Sequence, residues 1–179
     1  MRVIAGQFRG RQLKTPNWAG LRPTSDRLRE TLFDILGESV RGARVLDGFA
    51  GTGANGLEAL SRGAAHVTFI EQDPRAARLI ETNLSALGVG ENDRAIIRAG
   101  FTEAARRLAG SAFDLVVLDP PYATSPAAAI AEAAPLVGPS ARLVIEHAVR
   151  ETAPDAAAGL QRRRTVTAGD SALSFYEHS

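Results

Sequence analysis

Gly51-Thr52-Gly53-Ala54-Asn55-Gly56 fits G-x-G-x-x-G, and Glu71 stands 20 residues beyond Gly51. Glycines at that spacing permit a tight turn and close approach of a ligand, and a carboxylate at that distance can accept both hydroxyls of a ribose. The pattern predicts a nucleoside-containing cofactor, and alone it suits NAD equally. Two further groups separate the readings. Asp47 precedes the glycines in Asp47-Gly48-Phe49-Ala50-Gly51-Thr52-Gly53. Its charge would repel a pyrophosphate lying over the turn and suits a cofactor with a cationic amino-acid end. S-adenosylmethionine has an ammonium, a sulfonium and an adenosine, and no phosphate. The second group is Asp119-Pro120-Pro121-Tyr122. Consecutive prolines fix φ and lack N–H donors, which leaves the carbonyls of the turn for a ligand. Asp119 and the Pro120 carbonyl can accept both N–H bonds of an exocyclic amino group on a base, and Tyr122 can stack on that base.

Such groups need a frame that brings them together. From Arg44 onward the chain alternates strand and helix patterns. Strands are predicted at Val45-Leu46 ending at Asp47, at 67–70 ending at Glu71, at 95–97, at 113–118 ending at Asp119, and at 143–145. Helices are predicted after the glycine turn, from Pro74 through Leu87, around Ala104 to Leu108, and from Pro126 to Leu136. Leu28, Leu32, Ile35 and Leu36 form one apolar helical face ahead of them, with Thr24, Ser25 or Asp26 as its N-cap. Residues 164–167 and 172–176 read as a hairpin around Gly169-Asp170. This alternation implies an α/β fold with a mostly parallel sheet, helices on both faces, and the ligand outside the carboxyl ends of the strands. Asp47, Glu71 and Asp119 then share one rim. Residues 1–23 form a basic arm or hairpin ahead of a domain spanning 24–179. The arm carries Arg2, Arg9, Arg11, Lys14 and Arg22 without an acid, a surface suited to phosphates.

Composition narrows the class. The net charge is +1, so the molecule as a whole is not a polycation, and 45% hydrophobic residues over 179 suit one sizeable core. The absence of cysteine excludes disulfides, thiolate zinc sites and a cysteine nucleophile. No apolar run approaches the roughly 18–20 residues of a membrane helix, and no signal-peptide pattern opens the chain. A cytoplasmic protein without a membrane partner is the expectation.

Beyond these physical readings, the sequence resembles the bacterial small-subunit ribosomal RNA guanine-N2 methyltransferases, a class I methyltransferase family. The likeness lies in residues 2–6 and 9–11, Arg22-Pro23-Thr24-Ser25-Asp26-Arg27, residues 57–64, Asp119-Pro120-Pro121-Tyr122, Ile145-Glu146-His147 and residues 169–176. The resemblance implies a Rossmann-like, seven-stranded sheet with an antiparallel last strand, S-adenosylmethionine as donor (S-adenosylhomocysteine as product), and one guanine of 16S rRNA as target. It assigns Asp47, Phe49, Gly51 and Gly53 to the methionine end, with Ala50 and Thr52 also at the cofactor, Glu71 to the ribose, and Asp119, Pro120, Pro121 and Tyr122 to catalysis. Arg2, Arg9, Arg11 and Lys14 fall to RNA, and Arg22 and Thr24 to the RNA backbone or the cofactor carboxylate. No metal is required, because the cofactor carries the electrophile. A monomer acting on an assembling ribosomal particle is expected. Two positions depart from the family pattern. Arg98-Ala99-Gly100-Phe101 lacks an acid after the third strand, which leaves adenine to backbone groups near Gly100, with Phe101 or Thr102 beside them. Asn55 stands where an apolar residue is usual. The catalytic turn alone does not separate guanine-N2 from adenine-N6 on DNA or RNA. A nicotinamide-dependent oxidoreductase and a non-catalytic RNA-binding module are the readings from other classes.

Overall fold

The computed structural model describes residues 1–19 and 25–179. Five parallel strands come first: β1 (Arg44–Gly48), β2 (His66–Ile70), β3 (Arg94–Ile97), β4 (Phe113–Leu118) and β5 (Val137–Ala148). β6 (Ala156–Ala157), β7 (Leu160–Ala168) and β8 (Ser171–His178) complete one sheet in the order β3-β2-β1-β4-β5-β8-β7-β6. β8 lies between β5 and β7 and is antiparallel to both. Eight strands therefore replace the expected seven. The addition is two-residue β6 on the outer edge, where the Arg162 backbone N–H and Nη1 donate to the Asp155 and Ala153 carbonyls, each at 2.8 Å. Tyr176 Oη donates to the Pro154 carbonyl at 2.6 Å and holds the same segment down. β5 is also longer than its predicted core of 143–145, because residues 137–142 join it across a register shift against β4.

Helices α1 (Asp26–Leu36), α2 (Ala54–Ser61) and α3 (Pro74–Leu87) cover one face of the sheet; α4 (Phe101–Arg107) and α5 (Pro126–Ala133) cover the other. Strand alternation explains the two layers. Val45, Leu115, Val117 and Val144 point to the first face; Leu46, Val116, Leu118 and Ile145 point to the second. Ser25 is the N-cap actually used for α1, its side chain accepting from Leu28 N–H at 3.1 Å. Pro74 sits in the first turn of α3, as the sequence predicts, and Asp73 is its N-cap.

The strand order reverses between β1 and β4, which lie side by side with Gly48 opposite Leu118. The glycine turn follows one of these strands and the Asp119 turn follows the other. A topological switch point thus sets the two motifs face to face.

The first residues form a small hairpin, closed by Val3 N–H to the Arg11 carbonyl at 3.0 Å and Gly10 N–H to the Val3 carbonyl at 2.9 Å. Val3 and Leu13 enter the core. Ile4 and Ala5 N–H donate to the two oxygens of buried Glu58 at 2.8 and 3.0 Å. Gly6, at φ +82°, lies so close to α2 that a Cβ would sit 1.9 Å from the Ser61 carbonyl oxygen. Fully buried Arg29 completes the joint: Nη2 donates to the Arg2 carbonyl and to Asp26, and Nε lies 3.9 Å from Glu58. Glu58→Ala would leave two arm N–H groups without acceptors and remove one of the two carboxylates facing Arg29, so a loss of about 3–5 kcal/mol in urea unfolding is expected; a loss below about 1 kcal/mol would contradict this joint.

Candidate active site

The turn after β1 is held at both ends by carboxylates. Asp47 Oδ2 accepts from Gly56 N–H at 2.8 Å. Glu71 Oε2 accepts from Gly51 N–H at 2.7 Å, and its Oε1 accepts from Asp73 N–H at 2.7 Å. Gly51 and Gly53 take φ of 56° and 76°, the left-handed region that glycine enters freely. Gly56 serves packing instead: a Cβ there would lie 2.2 Å from the Phe69 ring, so its absence lets α2 settle on β2. Phe49 is also left-handed, at φ 62°, a conformation that costs a non-glycine residue about 1–2 kcal/mol. Its ring stacks on Phe101 at 4.7 Å between centroids and 19° between planes, an offset to that cost.

A cavity of about 870 Å³ opens over these groups. One wall is the glycine turn with Phe49 to Thr52; the next carries Glu71, Gln72, Gly100 and Phe101 from the ends of β2 and β3; the third is Asp119 to Tyr122; the last is the β7–β8 turn with Gly169 and Asp170. Most of the predicted site residues therefore meet. Asp47 and Gly53 do not reach the cavity surface. Asp47 sits beneath the turn, 2% exposed. Burial pushes its carboxyl up to about 8; the Gly56 N–H opposes the shift, and Asp119 and Glu71 add to it. Thr102 points away and donates to Glu132 on α5 at 3.0 Å. Arg2, Arg9, Arg11 and Lys14 are exposed on the arm outside the cavity, and Arg22 and Thr24 lie outside the described residues.

Within the Asp119 turn, the Pro121 carbonyl is not open to a ligand: it accepts from Thr124 N–H at 2.8 Å and closes the turn. Tyr122 is 64% exposed, and the Arg150 guanidinium lies 5.9 Å from its ring. His147 lines the cavity with both ring nitrogens engaged. Nδ1 donates to the Ala148 carbonyl at 2.9 Å, and Nε2 is hydrogen-bonded to Ser174 Oγ at 2.9 Å. Asn55 also faces the cavity, with its Oδ1 buried and without a hydrogen-bond partner among the described residues.

The ionisable lining is strongly one-sided. Among the described residues it comprises six carboxylates (Glu71, Asp73, Asp119, Glu146, Glu151 and Asp170) against a single arginine, Arg75, with His147 and Tyr122 as the other titratable side chains. Arg75 is itself paired with Asp73, and that pairing holds the Asp73 carboxyl down near 2. Glu146 was missed as a site residue, although alternation along β5 places it on the same face as Val144, beside Asp119 at the end of β4. No group of three or more His, Cys, Asp or Glu side chains arranged for a metal occurs among the described residues, and no helix there is long and apolar enough to cross a membrane.

A family model described as conserved hypothetical protein 95 matches residues 1–177. The chain belongs to this family. Its sheet and helices superpose on those of yhhF from Escherichia coli at a TM-score of 0.88, with 35% identity over 100% of this chain and 98% of that one. A hypothetical protein from Thermus thermophilus gives 0.82 at 34% identity over 99% of both chains. The curated relative ribosomal RNA small subunit methyltransferase D of E. coli strain K12 is 45% identical over 122 residues; the match covers 68% of this chain and 60% of the relative. The fold is that of the class I methyltransferases, with β8 as their antiparallel insertion.

For a member of this family, the buried Asp47 makes a stability prediction. A raised carboxyl pKa means that the folded state holds the neutral form, so its contribution is full below about 4 and is lost as pH rises toward 8. Asp47→Asn keeps an acceptor for Gly56 and removes the charge. The ligand-free variant should exceed the wild type in stability at pH 8 and match it at pH 4, as read from urea melts at both values. A difference that does not change with pH would contradict the assignment.

Proposed function

We propose that this chain transfers a methyl group from S-adenosylmethionine to N2 of a guanine in small-subunit ribosomal RNA. The observation that carries the reading is the acidic cavity over a glycine turn with the Asp119 turn opposite. A pyrophosphate cofactor would face six carboxylates and one neutralised arginine. A cofactor with an ammonium and a sulfonium meets complementary charge. The E. coli relative named as a small-subunit rRNA methyltransferase supports the RNA substrate, and the sequence resemblance supports guanine N2.

When bound, S-adenosylmethionine supplies an electrophilic methyl group on a sulfonium centre. Glu71, already oriented by Gly51 and Asp73, accepts the ribose hydroxyls on its remaining lone pairs. Buried Asp47 fixes the turn from below by accepting from Gly56 N–H. Phe49 stacked on Phe101 gives a flat apolar wall, and Gly100 offers its backbone to the adenine. Asp119 and the Pro120 carbonyl accept the N–H bonds of the target amino group, which favours positive charge developing on its nitrogen. Pro121 contributes the shape of that turn. Tyr122 presents an exposed ring on which an unstacked base can lie, and Asp119 or water takes up the proton that the amino group releases. A base must leave its helix to arrive there, which RNA loops and incompletely folded particles permit. The exposed cations Arg2, Arg9, Arg11 and Lys14 hold phosphates outside the acidic cavity. An assembling small subunit in the cytoplasm, met by a monomer, is the partner this arrangement suits.

Asp119→Ala is expected to lower kcat by about 100-fold or more, by analogy with loss of one preorganised polar group at a reacting centre. Its affinity for S-adenosylhomocysteine by calorimetry should stay within about threefold, since a contact made to the target base is absent from that complex. Near-normal turnover would overturn the role given to Asp119.

A further inference from the structure

The arm reaches the cavity by a defined path. Beyond its hairpin it runs along α3 in the direction opposite to the helix. Arg11 Nη2 donates to the Ala86 carbonyl at 2.7 Å. Lys14 N–H donates to Asn83 Oδ1 at 2.8 Å, and Asn83 Nδ2 donates to the Lys14 carbonyl at 3.1 Å. Asn83 is buried, so this pair of bonds is shielded from water. Trp18 then meets Arg75, whose guanidinium carbon lies 5.0 Å from the indole centroid. The contacts step from residue 86 to 83 to 75, and the arm arrives at the first turn of α3. Trp18 there lines the cavity beside Glu71, Asp73 and Arg75.

Arg75 is held before it meets the ring. Its Nε and Nη2 donate to Asp73 Oδ1 and Oδ2 at 3.2 and 2.8 Å. A guanidinium fixed by two hydrogen bonds makes a stable platform for an indole. The guanidinium lies over one part of the indole, and the half-buried Trp18 lines the cavity at the end where Glu71 stands.

We propose that Trp18 is a wall of the nucleoside end of the site, packing against the adenosine part of the bound cofactor, so that the docked arm is itself part of the cofactor site. The proposal rests on the S-adenosylmethionine reading above. Arg11, Lys14 and Trp18 lie on one stretch of chain, so whatever holds the arm on α3 also holds this wall in place, and cofactor binding and arm docking favour each other.

Trp18 is the single tryptophan of the chain, so emission under tryptophan-selective excitation reports this wall without the two tyrosines. The full chain is titrated with S-adenosylhomocysteine while emission and heat are followed, alongside Trp18→Ala, Trp18→Phe and Arg75→Gln, each checked for retained fold by circular dichroism. Wild-type emission should change along the same saturation curve as the heat. Trp18→Ala should weaken affinity roughly five- to 150-fold, the range that base stacking on aromatic side chains gives on alanine substitution. Trp18→Phe should keep affinity within about threefold, because a flat ring remains, and Arg75→Gln should fall between the two. Tight wild-type binding with unmoved emission and an unweakened Trp18→Ala would overturn the wall. Should Trp18→Ala misfold, unmoved wild-type emission together with an unweakened Arg75→Gln would overturn it equally. Absence of any S-adenosylhomocysteine binding by the wild type would overturn the cofactor reading, and this inference with it.

Discussion

A backbone turn clamped between two carboxylates governs this molecule. Gly56 N–H is bound to Asp47 from below, and Gly51 N–H is bound to Glu71 from the side. Backbone donors in a turn of this kind are otherwise unsatisfied, and a buried donor without a partner costs about 1–3 kcal/mol. Satisfying them with carboxylates fixes the shape of the turn, but it places acid in the interior. The raised pKa of Asp47 is the consequence, with Asp119 and Glu71 pressing in the same direction. The carboxylates that line the cavity, Glu71 among them, favour a cationic ligand and disfavour phosphate.

The same helix links this turn to the arm. α2 begins at the glycine turn and carries Glu58 and Ser61 on its buried side. Those two residues receive the arm's backbone: Ile4 and Ala5 N–H at Glu58, Gln7 and Phe8 N–H at Ser61. The surface read as meeting RNA is therefore anchored on the element that the cofactor turn opens. Charge is divided between them in a consistent way. The arm exposes cations and the cavity gathers carboxylates, a division that suits the proposed reading of an RNA backbone held outside and a base entering.

Much of this could be read from residue types and spacing. β4 and α3 fall on their predicted bounds, because a continuous apolar run and a proline-to-glycine bracket leave little ambiguity. The convergence of Asp47, Glu71 and Asp119 follows from each ending a parallel strand. The misses have local causes. β5 starts well before its predicted 143–145 because Gly138-Pro139 continue it through an irregular register, and β6 depends on long-range bonds from Arg162 and Tyr176 that no local pattern announces. Asp47 supports the turn from beneath rather than lining the cavity, since alternation along β1 turns it toward α2. Trp18 and Arg75 are 57 residues apart in sequence and carry no motif, so only the fold could reveal their contact.

The central claim is that this fold methylates a guanine amino group in small-subunit RNA. It is tested most directly by transfer of labelled methyl groups from S-adenosylmethionine, with small ribosomal subunits from cells lacking the activity offered beside free rRNA and DNA. Nucleoside analysis of the product identifies the acceptor atom. The account predicts N2-methylguanosine in subunit RNA; N6-methyladenine, or no label in any substrate, would contradict it.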